Sequence, residues 1–283
     1  MTPQSFAVFA GVLMAGSGLA LGPDKTYLLE TRLASLVKRE NLPGLDALAA
    51  RLRAPGEGAL AREVVEAMAT NESFFFRDNK PFAHVRAHAL PRLHAARPPG
   101  ARLRLWSAAA STGQEAYSLA MLVAESRALL GNRQFEILGT DFARAPLRRA
   151  RAGRYTQFEI QRGLPMQMLA QYFGKDGPEW QIAEPIRGMV DFREWNLLAD
   201  LRPLGQFDIV FCRNVLIYFD QPTKARVLEA IARQLAPDGL LYLGGAESVL
   251  GMSGRFVPAG SEWGVYELAG AQAEVRRPVA ACG

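Results

Sequence analysis

The chain has 283 residues, 49% hydrophobic and 22% charged, with 33 Lys and Arg against 28 Asp and Glu for a net charge of +5. This length suits one large domain or two smaller ones, and the composition is that of an ordinary soluble globular protein. Two cysteines, Cys212 in an apolar run and Cys282 beside the C-terminus, exclude a disulfide framework and point to a reducing compartment. The small basic excess suits nucleic acid, acidic lipid or an acidic protein without choosing among them.

The opening FAVFAGVLMAGSGLALG (6–22) has the look of a signal peptide or membrane anchor, but the first basic residue, Lys25, follows the apolar stretch instead of preceding it. Gly11, Gly16, Gly18 and Gly22 make it a poor and short membrane span. It reads as a buried helix ending near Gly16–Gly18, where a left-handed cap suits glycine, and the protein as cytoplasmic with no direct membrane insertion. Apolar residues then recur at three- and four-residue intervals over Tyr27–Glu40, Leu45–Leu52 and Ala59–Ala69, predicting three more helices. Residues 1–70 are therefore an all-α N-terminal domain.

A linker over 71–100 ends at ARPPG (Ala96–Gly100), where proline and glycine break the chain. It holds the three histidines, His84, His88 and His94. His84 and His88 have the i, i+4 spacing of a helical metal pair, yet HVRAH lacks the glutamate of a zinc-protease motif, so both are expected on solvated helix faces and no metal is expected. Beyond it RLRLWSA, FEILGTD, FDIVFCRN and GLLYLGG are short apolar runs separated by helical patterns, which predicts a mostly parallel sheet covered on both faces over 101–269. Residues 270–283 read as a disordered tail.

Ligands of open α/β sheets bind beyond the carboxyl ends of the strands. Four such ends carry polar residues: Ser107–Gly113 with Gln114 and Glu115, Thr140–Asp141, Asn196–Leu197 after VDFREW, and Arg213–Asn214. Asp141 stands where a carboxylate grips a ribose diol, or where it starts the helix FARAPLRRA; the two roles can coexist. Asn196 can read an adenine edge or serve as a turn residue. Glu115 either complements a helix dipole or grips an ammonium. A carboxylate in that turn repels the phosphates of NAD and suits S-adenosylmethionine, which has an ammonium and no phosphate.

WSAAASTGQEAYSLAM (Trp106–Met121), TDFARAPLRRARAGRY (Thr140–Tyr155), FDIVFCRNVLIYFD (Phe207–Asp220) and TNESFFFRD (Thr70–Asp78) resemble the CheR family of chemotaxis receptor methyltransferases. The resemblance extends more weakly from the N-terminal helices to about Leu268. It implies a helical N-terminal domain joined to a class I S-adenosylmethionine-dependent methyltransferase domain, Rossmann-like, with a small antiparallel β-subdomain at about 153–191. It also implies the activity: methylation of glutamate carboxylates on the cytoplasmic helical region of receptors. For the cofactor, S-adenosyl-L-methionine, it implies Asn71, Ser73 (commonly Thr in the family) and Arg77 from the linker, and Glu115 at the methionine end. Asp141 would take the ribose, Asn196 and Leu197 the adenine, and Arg213 and Asn214 the floor. The turn Gly113-Gln114-Glu115-Ala116-Tyr117 departs from the usual Gly-Glu-Glu-Pro-Tyr.

A glutamate with a pKa near ~4.3 is already the nucleophile at neutral pH, so no general base is assigned; Arg77, Arg213 and Tyr218 are the candidates for positioning the substrate. Arg32, Lys38 and Arg39 on the N-terminal helix are the candidate receptor contact. In the family the β-subdomain can bind a receptor's C-terminal peptide tether and tends to be shorter where that site is lacking. GKDGPEWQIAEPIRGM between Phe173 and Val190 resembles the shorter form, which implies a tether-independent member, and the chain is expected to be a monomer that binds no nucleic acid. Two other classes remain: a non-catalytic cofactor-binding docking module, and a nucleic-acid methyltransferase, against which Arg213–Ile217 lacks the Asn-Pro-Pro-Tyr pattern.

Overall fold

The computed structural model describes residues 1–270; the expected disordered tail, Cys282 included, lies outside them except for Gly270. Four helices open the chain: α1 (Pro3–Ser17), α2 (Thr26–Arg39), α3 (Leu45–Leu52) and α4 (Gly58–Met68). The Thr2 side chain caps α1 by accepting from the Ser5 N–H, and Gly18 closes it at φ 74°, left-handed as expected. The burial differs from expectation. Only Ser5, Phe9, Leu13 and Ser17 are buried, one stripe at four-residue spacing, so α1 packs along one face. That stripe meets Leu29 and Leu33 of α2 and Val64 and Met68 of α4 in a separate apolar core. Among the described residues no helix is long and apolar enough to cross a membrane.

The linker passes Phe75 into the interior, where it meets Tyr155 and Phe173 edge-on at 5.0 and 5.5 Å. It then enters a helical run, Lys80–His84 and Leu90–Ala96, widened between them by a π turn over Val85–Ala89. Pro91 has no N–H to donate and crowds the carbonyl four residues back, which accounts for the wider turn. After the ARPPG break, Arg133 donates to the carbonyls of His94, Arg97, Pro98 and Ala101, so a buried guanidinium pins the linker's end to the sheet.

The strands are β1 (Leu103–Ala108), β2 (Phe135–Asp141), β3 (Arg154–Thr156), β4 (Phe173–Asp176), β5 (Glu179–Ile182), β6 (Val190–Glu194), β7 (Phe207–Cys212), β8 (Leu235–Leu243), β9 (Phe256–Pro258) and β10 (Val265–Leu268). Seven form one sheet in the order β6-β2-β1-β7-β8-β10-β9. The first five run parallel, and β10 and β9 are antiparallel additions at one edge. The chain winds from β1 through β2 to β6 in one direction and continues from β7 in the other. The order therefore reverses between β1 and β7, and the crevice beyond them is where a ligand sits in this architecture. Strands β3, β5 and β4 make a separate antiparallel sheet over 154–182, within the span expected for the β-subdomain. Apolar clusters cover both faces of the large sheet.

Candidate active site

A cavity of about 1010 Å³, counted out to its mouth, opens at the reversal point. Its wall combines the carboxyl ends of β1, β2 and β7, the loop after β6, the linker from Thr70 to Arg77, and Ser17 and Leu19 after α1. All nine expected cofactor residues line it: Asn71, Ser73, Arg77, Glu115, Asp141, Asn196, Leu197, Arg213 and Asn214. Tyr218 lines it as well, in place of the alternative of a core aromatic.

The turn after β1 explains why its residues are small. Ala109 and Ser111 have φ of 72° and 52°, and Gly113 has 94°. A left-handed backbone crowds any Cβ, so small side chains are tolerated and large ones are not. At Gly113 a Cβ would also stand 2.9 Å from that of Ala150. The helix Gln114–Glu125 starts from this glycine. Gln114 faces the interior, 1% exposed, and accepts from the Thr112 hydroxyl. It is absent from the cavity wall, so the departure from Gly-Glu-Glu falls on the packed side of the turn.

Glu115 faces the cavity. One carboxylate oxygen accepts from the Ser107 hydroxyl at 2.8 Å, and the other lies 3.4 Å from Arg213 Nη1. Burial pushes its carboxyl above the ordinary glutamate value, opposed by the Arg213 charge. Arg213 also pairs with Asp78 of the linker, while its Nε–H has no partner among the described residues. A buried N–H left open on a cavity wall suits an incoming acceptor.

Asp141 is 6% exposed and accepts from the backbone N–H groups of Ser111 and Ala143, each at 2.9 Å. It steadies the turns on both sides of the cavity, although the helix Arg144–Ala152 begins after Ala143, so Asp141 is not its capping residue. Among the described residues no cation pairs with it, and burial raises its carboxyl despite these bonds. Each carboxylate oxygen retains acceptor capacity for a hydroxyl pair.

Asn196 follows the turn-residue reading. Its Oδ1 accepts from the Leu198 N–H at 2.9 Å and its Nδ2 donates to the Gly16 carbonyl at 2.7 Å, so the amide ties α1 to the loop after β6. Leu197, 9% exposed, supplies an apolar surface beside it.

The sequence reading missed Glu247. This carboxylate is 4% exposed and accepts from the N–H groups of Asn214, Val215, Leu216 and Ile217, and from that of Gly244. It fixes the Arg213–Tyr218 loop from below. Gly244 permits this, since a Cβ there would lie 2.7 Å from both Asn214 Nδ2 and Glu247 Oε2. Asn214, at φ 58°, is the strained residue of that loop, and its Oδ1 is buried without a partner among the described residues. From the other side the Ala20 N–H donates to the Tyr218 carbonyl at 3.0 Å, and Leu19 bridges Phe219. Nothing in AESVL or SGLAL signals these contacts, which depend on tertiary approach alone.

Two expectations outside the cavity need correction. His84 is half-buried and not a solvated face residue: burial lowers its pKa, and its Nδ1 is 2.9 Å from the Tyr242 hydroxyl; His88 is exposed. Arg32 is not presented outward as a free cation, because its guanidinium donates to the carbonyls of Met68 and Ala69 and the hydroxyl of Thr70, terminating α4. Arg39 is 55% exposed and pairs with Glu40 and Glu63. Lys38 is exposed.

Taken together the wall offers a part-buried carboxylate backed by arginine, a buried second carboxylate that no cation pairs with among the described residues, an apolar shelf, and three buried polar atoms without a partner among the described residues, Trp195 Nε1, Arg213 Nε and Asn214 Oδ1. This set fits a nucleoside that carries an ammonium and a carboxylate, as S-adenosylmethionine does: Glu115 for the ammonium, Asp141 for the ribose diol and Leu197 for the base.

Comparison with known proteins agrees. A family model described as "CheR methyltransferase, SAM binding domain" matches residues 71–265. The chain is 40% identical over 257 residues to the chemotaxis protein methyltransferase Cher2 of Pseudomonas putida, covering 89% of this chain and 92% of that one. It is 41% identical over 248 residues to chemotaxis protein methyltransferase 1 of Pseudomonas aeruginosa, covering 86% and 90%. With the chemotaxis protein methyltransferase of Vibrio parahaemolyticus the identity is 36% over 261 residues, covering 90% and 93%.

Proposed function

The chain belongs to the CheR methyltransferase family, and on that premise we propose that it transfers the methyl group of S-adenosylmethionine to glutamate side chains of chemotaxis receptors, forming glutamyl methyl esters for sensory adaptation. The observation that carries this reading is the pairing of two carboxylates, the part-buried Glu115 and the buried Asp141, on one cavity whose Arg213 is already engaged by Glu115 and Asp78. When bound, the cofactor supplies a sulfonium-activated methyl group. A receptor carboxylate oxygen forms the new C–O bond as the C–S bond breaks, the sulfur keeps the electron pair, and no proton moves. The protein's part is then placement and exclusion of water.

Within that scheme Glu115 holds the ammonium, Asp141 the ribose, and Asn71, Ser73 and Leu197 enclose the nucleoside, with Asn196 and Asn214 shaping the wall. Arg213 braces Glu115. Arg77, lying over the Phe74 ring at 5.1 Å, and Tyr218 at the mouth position the incoming carboxylate. The receptor's helical region meets the exposed Lys38 and Arg39 of α2, while Arg32 supports the linker. We read the chain as a helical domain (1–70), a cofactor-contacting linker (71–100) and a methyltransferase domain (101–269), acting in the cytoplasm as a monomer and without a receptor tether.

The test is a titration of S-adenosylmethionine against the protein and its Asp141→Ala variant, followed by turnover on a receptor cytoplasmic fragment. Binding and turnover in the parent with loss of binding in the variant support the reading. Binding without turnover on any receptor fragment would instead identify a docking module, and a tether pentapeptide that binds would remove tether independence.

A further inference from the structure

Three large apolar side chains stand exposed on loops tied to the cavity wall through Glu247, which accepts from the wall residues Asn214 and Val215: Ile217 at 45%, Leu250 at 68% and Trp263 at 71%. They come from separate loops that one carboxylate draws together. Glu247 accepts from the N–H groups of both Ile217 and Gly244, and the Trp263 indole N–H donates to the Gly245 carbonyl at 3.2 Å. Leu250 belongs to the same segment, closed by the Met252 N–H on the Val249 carbonyl. Trp263 is thereby held by its polar end with the rest of its ring facing water. Ile217 directly precedes Tyr218, which lines the cavity.

An aromatic tethered by its polar end beside exposed aliphatic residues is the composition of a binding hot spot. Its position determines what meets it. A glutamate side chain is short, so a carboxylate that enters this cavity brings its own helix against the rim. Residues three and four positions from that glutamate share its helix face and lie over the rim as well. The last strand does not itself cover this surface. β10 is antiparallel to β8, starting with Val265 opposite Tyr242 and continuing with Tyr266 opposite Leu241. It therefore leads the chain away from the cavity end of the sheet.

We propose that Ile217, Leu250 and Trp263 form a docking surface for the apolar residues flanking the target glutamate on an amphipathic receptor helix. This rests on the receptor-glutamate reading and adds an apolar contact at the site of transfer, separate from the basic contact on α2. It selects glutamates with apolar neighbours one helical turn away.

Steady-state methylation of a receptor cytoplasmic fragment by the full chain tests it. Trp263→Ala and Leu250→Ser should each raise KM for the fragment by roughly tenfold, with kcat and cofactor Kd unchanged, and Trp263→Phe should restore most of the affinity. Unchanged KM in both variants, or a loss of kcat with KM intact, would overturn the proposal. A p-benzoylphenylalanine in place of Trp263 identifies the occupant. Crosslinking to the receptor fragment is expected, and crosslinking to residues 271–283 or to a second copy of the chain would overturn it. If the parent protein esterifies no receptor fragment, the receptor-glutamate reading fails and takes this surface with it. Normal esterification with an unmoved KM fails the surface alone.

Discussion

The Arg213 guanidinium lies 3.4 Å from the Glu115 carboxylate; its side chain is fully enclosed, and that of Glu115 is 13% exposed. The two come from strand ends that are adjacent in the sheet and 98 positions apart in sequence. Each supplies the countercharge that makes the other's burial tolerable. Arg213→Met keeps the length and removes the charge, leaving Glu115 without a cation. The expected loss is about 3–5 kcal/mol of stability together with cofactor binding. Urea unfolding and a cofactor titration check this, and adding Glu115→Gln to Arg213→Met should recover part of the stability and none of the binding.

Acid should separate stability from affinity. Burial raises the carboxyls of both Glu115 and Asp141 above their ordinary values of 4.5 and 3.8. The folded chain therefore holds these protons more tightly than the unfolded chain does. Their contribution to stability is fullest below the ordinary values and is lost as pH rises through the raised folded ones. Cofactor binding needs the ionised forms and runs the opposite way. As pH falls from neutral through the raised folded values, the cofactor's Kd should weaken while these groups favour the folded state more. Calorimetric titrations and melting curves, each compared with Glu115→Gln, isolate the Glu115 share. A parent affinity constant over this range would count against the assignment.

Removing Glu247 should damage the site without touching the cavity. Its carboxylate satisfies the N–H groups of Asn214, Val215, Leu216 and Gly244, all between 2.7 and 2.9 Å. Glu247→Ala orphans several buried donors at roughly 1–3 kcal/mol each. Glu247→Gln keeps one acceptor and adds a donor where N–H groups already point, so it should fold and lose mainly turnover. Hydrogen exchange at residues 214–217 should rise in Glu247→Gln; unchanged exchange with unchanged turnover would show that the loop holds itself.

The N-terminal helices should matter to turnover as well as to partner binding. The Ala20 N–H reaches the Tyr218 carbonyl, and Asn196 reaches the Gly16 carbonyl. Ala20→Pro removes the first donor. It should lower kcat several-fold, with receptor KM little changed and Ala20→Gly close to the parent. Equal kcat in Ala20→Pro and the parent would show that Tyr218 needs no such support.

Legibility followed the range of the signal. The helices of α2, α3 and α4 and the strands β1, β2 and β7 were visible because periodicity is local; their ends fall within a residue or two of expectation. Glu115, Asp141 and Arg213 were visible because strand ends in a parallel sheet converge by topology. The hidden features depend on packing between distant segments. Arg32 reads as part of a basic helix face until α4 ends beneath it. His84 reads as solvated until Tyr242 arrives from β8. The left-handed Ala109, Ser111 and Asn214 carry no glycine to announce them, since the surrounding contacts impose the conformation.

The central claim concerns which atom receives the methyl group. Tritiated S-adenosylmethionine, the full chain and a glutamate-rich receptor cytoplasmic fragment would be incubated and then exposed to mild base. A glutamyl methyl ester hydrolyses under those conditions, so the account predicts label released as volatile methanol, absent with Asp141→Ala. Label that stays on the fragment through base treatment would place the methyl on nitrogen or sulfur and contradict the account.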